Sequence, residues 1–115
     1  MRRRGYHQRE HIREKNSTPF KAGLGKSRKV GDWKVFEVGA GCLKDYDGMN
    51  AYAGKAMGFK PKLKKDEVLV DRRLKASYKK EVVAHEIIEA RLMKRGMHYW
   101  TAHNIALKTA KEGIM

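Results

Sequence analysis

Four side chains towards the C-terminal end of the chain have the types and spacing that metal chemistry requires. His85 and Glu89 are four residues apart, so on a helix they stand one turn above each other on one face. There they can hold one cation between an imidazole nitrogen and a carboxylate oxygen. Glu86 follows His85 directly, about 100° further round the helix, where its carboxylate misses the cation yet reaches a water bound to it. A third ligand has to come from another element: His103 is the leading candidate and His98 the reserve. Glu89 has Leu92 and Met93 three and four residues downstream, so no helical ion pair in that direction accounts for its charge. Acids set among Val82, Val83, Ala84, Ile87 and Ile88 are costly to bury unless they are hydrogen-bonded or ligated.

These residues need elements to hold them. Residues 81–94 can run unbroken as a helix, entered from Ser77 as a cap and stopped by Gly96. A second helix is expected from Thr101, a good cap residue, to Lys111 or Glu112, with Gly113 just past its end. The short connection makes the two helices antiparallel neighbours and folds His103 back towards His85. Tyr99 and Trp100 are expected to anchor this hairpin to a sheet, and Tyr99 or His98 is placed to donate to an oxyanion beside the ligands.

Upstream, residues 33–38 form a short apolar and aromatic strand closed by Gly39-Ala40-Gly41, and residues 67–71 form a second strand. Between them Met49, Tyr52, Ala53 and Ala56 recur at helical spacing behind Asp45 or Asp47 as caps, ending near Gly58. A basic connector spans 60–65. The fold class expected is α+β: a small antiparallel sheet packed against a C-terminal helical hairpin.

The strand Glu67-Val68-Leu69-Val70-Asp71 followed by Val82-Val83-Ala84-His85-Glu86-Ile87-Ile88-Glu89 resembles the strand and active-site helix of small zincin metallopeptidases, including gluzincin-like members associated with phages and plasmids. In that family the motif is H-E-x-x-H, with a carboxylate from a later helix as third zinc ligand. Here the second histidine is replaced by Glu89, and His103 stands on the later helix where the family has its acid. The permutation keeps two imidazoles and one carboxylate, a set that catalytic zinc accepts with a position left for water. The resemblance implies one zinc ion on His85, Glu89 and His103. It also implies Glu86 as general base, and hydrolysis of an amide in a peptide or protein substrate by a metal-activated water.

The chain has 115 residues and a mass of 13.3 kDa, the size of one compact domain. Its 27 Lys and Arg against 13 Asp and Glu give a net charge of +14. Much of the excess lies in residues 1–29, where ten basic side chains face only Glu10 and Glu14. The expected division is a basic arm, 1–29, and an α+β domain, 30–115. Arg2, Arg3, Arg4, Arg9, Arg13, Lys26, Arg28 and Lys29 are the arm's candidate contacts to nucleic acid or nucleoprotein, because a concentrated basic segment is what phosphate backbones attract. No apolar stretch approaches the ~20 residues of a membrane helix, and Met1-Arg2-Arg3-Arg4 does not lead into the apolar block of a secretory signal. No membrane partner is expected, and the location expected is cytoplasmic, or virion-associated for a virus-encoded chain. Cys42 is the single cysteine and is read as a small buried residue.

Two other patterns are set aside. Gly25-Lys26-Ser27 resembles the end of a P-loop, but the glycine required five residues earlier is Phe20. His7 and His11 are four apart, yet they sit among arginines that repel cations. Two function classes remain: a minimal zinc-dependent hydrolase, and a basic nucleic-acid-binding or virion-type structural protein that keeps a zincin-like scaffold without turnover.

Overall fold

The computed structural model describes residues 27–39, 42–43, 46–59 and 61–111. The basic positions Arg2, Arg3, Arg4, Arg9, Arg13 and Lys26, and the expected helix end at Glu112 and Gly113, lie outside the described residues. The elements run β1 (Arg28–Val30), β2 (Trp33–Val38), β3 (Gly48–Asn50), α1 (Ala51–Met57), β4 (Glu67–Asp71), α2 (Ala76–Lys94) and α3 (Tyr99–Lys111). The architecture is α+β, with a C-terminal helix pair on a 4-stranded sheet of order β1-β2-β4-β3.

The sheet is mixed rather than antiparallel. β1 and β3 pair antiparallel with β2 and β4, but β2 and β4 run parallel, with Val35 opposite Val68 and Phe36 opposite Leu69. The chain between β2 and β4 is long enough to carry β3 and α1, so it returns β4 in the direction of β2, which no tight hairpin could do. Arg28 and Lys29, assigned to the arm from the sequence, are exposed strand residues opposite Val35 and Lys34. Gly31, at φ 63, supplies the positive φ that tight hairpin turns need at their first central position.

Residues 48–50 form a strand and not the start of a helix. Gly48, Met49 and Asn50 pair with Val70, Leu69 and Val68, and α1 is capped by Asn50, whose Oδ1 accepts from the Ala53 N–H at 2.9 Å. Asp47, expected as a cap, instead accepts a hydrogen bond from the Tyr78 hydroxyl at 2.8 Å; Asp45 lies outside the described residues. α2 also begins before Ser77: Lys75 is its cap position, with no side-chain cap bond. The helix ends in a Schellman arrangement in which Gly96, at φ 101, donates to the Met93 carbonyl and Met97 donates to that of Leu92. α3 starts before Thr101, because His98 caps it: its Nδ1 accepts from the Trp100 N–H at 3.3 Å and its carbonyl accepts from Ala102.

One sheet face buries Val35, Val68 and Val70 against Val82, Val83 and Ile87 of α2. A second cluster joins Val38, Met49 and Leu69 to Leu43, Tyr46, Ala53, Phe59 and Tyr99. The helix pair reaches the sheet chiefly through α2, with α3 against α2. Tyr99 does anchor the hairpin to sheet residues, whereas Trp100 is 45% exposed. Cys42 is half-buried. Among the described residues no helix is long and apolar enough to cross a membrane.

Two outcomes are expected from this packing. A Cβ at Gly48 would lie 2.7 Å from Val82 Cγ1 and 3.1 Å from both Glu86 Cγ and the Leu69 carbonyl. Gly48→Ala is therefore expected to destabilise by about 1–3 kcal/mol in urea unfolding. Burial pushes the Asp71 carboxyl up, but the Arg73 hydrogen bonds and charge, with the charge of Lys79, outweigh it and hold the group below its ordinary value. A carboxyl lowered in this way adds stability above its unfolded pKa of about 3.9, and that stability is lost as pH falls through the folded value. The stability gap between parent and Arg73→Ala is accordingly expected to be open at neutral pH and to close below about pH 4.

Candidate metal centre

The helical periodicity of α2 sets His85 and Glu89 one above the other and turns Glu86 towards β3. His85 Nε2 lies 3.1 Å from Glu89 Oε2. The α2–α3 turn brings His103 back so that its Nδ1 lies 2.9 Å from the same oxygen. The two imidazole rings meet edge to face, 4.8 Å between centroids at 73°. The three residues expected as ligands thus converge, and their donor atoms all lie within 4.8 Å of one another.

The reserve ligand, His98, is exposed and is occupied in capping α3, and it is not a member of this cluster. The Tyr99 hydroxyl stands 3.5 Å from His103 Nδ1. Burial, followed by the nearby charges of Glu89 and Glu86, raises the Tyr99 pKa, so this hydroxyl keeps its proton at neutral pH.

Asn50 completes the arrangement, and the sequence reading did not include it. Its Nδ2 lies 2.7 Å from Glu86 Oε1, 3.0 Å from Glu89 Oε1 and 3.3 Å from the Glu86 carbonyl. An amide nitrogen has two hydrogens, so the two carboxylates take the short bonds and the carbonyl shares one at longer range. The oxygen of the same side chain caps α1. Gly48, two residues earlier, lets β3 approach closely enough for this, since any side chain there would collide with Val82 and Glu86. An asparagine opening a helix is the local signal for the cap. Its reach to residues 36 and 39 positions away has no local signal.

His85, Glu86, Glu89, His103 and Asn50 are between 0% and 2% exposed. Two buried carboxylates on one helix would be prohibitive without partners. Burial alone would raise the Glu89 pKa, but hydrogen bonds from His103 and His85, and then their charges, overcome it and leave the group below its ordinary value.

Comparison of the chain with protein-family models, curated proteins and solved structures found no match. Two imidazole nitrogens and a carboxylate oxygen form a donor set suited to zinc, and tetrahedral bonds of about 2.0–2.1 Å place ligand atoms roughly 3.3 Å apart. The spacings of 3.1 and 2.9 Å to Glu89 Oε2 are within a few tenths of an ångström of this, and all three donor atoms lie within 4.8 Å of one another. A bound metal would exchange these hydrogen bonds for coordination and release the protons that made them.

Asn50→Ala removes both a helix cap and the donor shared by two buried carboxylates, and is expected to cost about 2–4 kcal/mol in urea unfolding at pH 7. Asn50→Asp keeps a capping oxygen but exchanges the donor for a third carboxylate. It is expected to destabilise as well, which capping alone would not produce.

Proposed function

We propose that the protein is a zinc-dependent hydrolase acting on peptide or protein amides, with His85, Glu89 and His103 holding the metal and Glu86 serving as general base. The observation that carries this reading is the meeting of His85 Nε2 and His103 Nδ1 at one oxygen of Glu89, with a second buried carboxylate, Glu86, directly after His85 on the same helix. Bound zinc supplies a Lewis acid and lowers the pKa of a coordinated water towards about 7.

The remaining work falls to side chains of the chain itself. Asn50 grips Glu86 by Oε1, which orients the carboxylate that accepts the proton. Tyr99, kept protonated, offers a hydroxyl beside His103 for developing negative charge. The basic N-terminal arm would bring this activity to nucleic acid or nucleoprotein through its arginines and lysines.

The near-complete burial of the ligands favours a second reading: the same set acts as a closed structural metal site bracing α2 against α3, in a nucleic-acid-binding or virion-type structural protein without turnover.

Elemental analysis of untagged protein is expected to find about one zinc per chain, lost in His85→Ala, as a single ligand set would give. Glu86→Gln is expected to retain zinc and to lose at least about a hundredfold in hydrolysis of a peptide library. Metal-free wild-type protein overturns both readings, and zinc-loaded protein with no hydrolysis leaves the structural one.

A further inference from the structure

A groove lies between α1 and the connector that follows it, and none of His85, Glu89 and His103 lines it. Its cavity is about 420 Å³, within the roughly 300–1,000 Å³ typical of ligand clefts. The floor is apolar, formed by Phe59 and Leu63, and the half-buried Tyr52 adds an aromatic ring. Lys55 stands on the α1 side, and Lys62 and Lys65 on the connector side; all three are exposed. Among the described residues no carboxylate lines the groove. Among the described residues none of the three lysines forms an ion pair.

We infer that this groove binds single-stranded nucleic acid, with one base against Tyr52 and the apolar floor and the flanking phosphates on Lys55, Lys62 and Lys65. Positive charge on both rims fits the phosphodiesters on either side of one nucleotide in a strand, whereas a mononucleotide carries phosphate on one side alone. An apolar floor is useful only to a base whose face is free. In a duplex the faces are stacked away and only edges and phosphates are presented, while unpaired strands offer their faces to aromatic rings. The site is independent of zinc and of hydrolysis, because it shares no residue with the metal centre, and it is distinct from the arm.

The test is fluorescence anisotropy of the full-length protein with a short labelled oligothymidylate and with the matching duplex, at salt concentrations between about 50 and 200 mM. The combined variant Lys55→Gln, Lys62→Gln, Lys65→Gln is expected to bind the single strand at least about tenfold more weakly, and to lower the slope of log affinity against log salt by roughly 1.4, at ~0.7 for each of the two flanking phosphates. Tyr52→Ala is expected to weaken single-strand binding by about fivefold or more, as loss of one stacked base does. It should leave duplex binding unchanged, and Tyr52→Phe should restore the wild-type value. The substituted lysines are exposed, and an unchanged melting temperature verifies that each variant is folded. Affinity within twofold of wild type in either the lysine variant or Tyr52→Ala overturns the assignment, because all binding would then reside elsewhere. An equal loss on single strand and duplex overturns it too, because no base face would be involved.

Discussion

The fully buried Glu89 carboxylate is the constraint around which the other parts are placed. An isolated ionised carboxylate in such a position would be prohibitively expensive, and here three donors converge on it from three directions. His85 comes from its own helix, His103 from the next helix and Asn50 from the strand-to-helix junction. Each partner fixes one relationship between elements: the phase of α2, the return of α3, and the approach of β3 and α1 to α2. Removing one such partner of a buried charge costs more than the net value of the pair, because the charge left behind remains buried.

That convergence depends on how closely the backbones approach. β3 can lie against α2 because its first residue, Gly48, has no side chain to strike Val82 and Glu86. Asn50 then reaches both carboxylates while its other atom begins α1. One side chain therefore couples the sheet edge, a short helix and the polar interior of α2. The apolar layer of Val35, Val68, Val70, Val82, Val83 and Ile87 supplies the burial that makes these hydrogen bonds strong in a low-dielectric setting.

Much of this was legible in the sequence where a segment's own pattern decides its structure. β2 and β4 are short runs built on apolar residues, Trp33, Val35, Phe36 and Val38 in one and Val68, Leu69 and Val70 in the other, and α2 and α3 carry long helical patterns, so these elements and the meeting of His85, Glu89 and His103 follow from spacing and one turn. The three-residue strands β1 and β3 are defined by their partners instead. Arg28 and Lys29 look like arm residues until β2 pairs with them, although Gly31-Asp32 before Trp33 is a fair hairpin signal. Met49 fits a helical spacing as well as a strand, and only β4 decides between them. The parallel pairing of β2 with β4 and the role of Asn50 belong to contacts distant in sequence, which no local pattern encodes.

The Schellman turn after α2 has a further consequence for what this chain can tolerate. His85 and Glu89 keep their relative phase whatever happens beyond Lys94, but the phase of His103 is set by the number of residues in the turn. Inserting or deleting a single residue there would swing His103 about 100° around the axis of α3, taking its ring out of the interior. Substitutions along the turn's exposed positions are cheap by comparison; its length is the dimension that admits no variation.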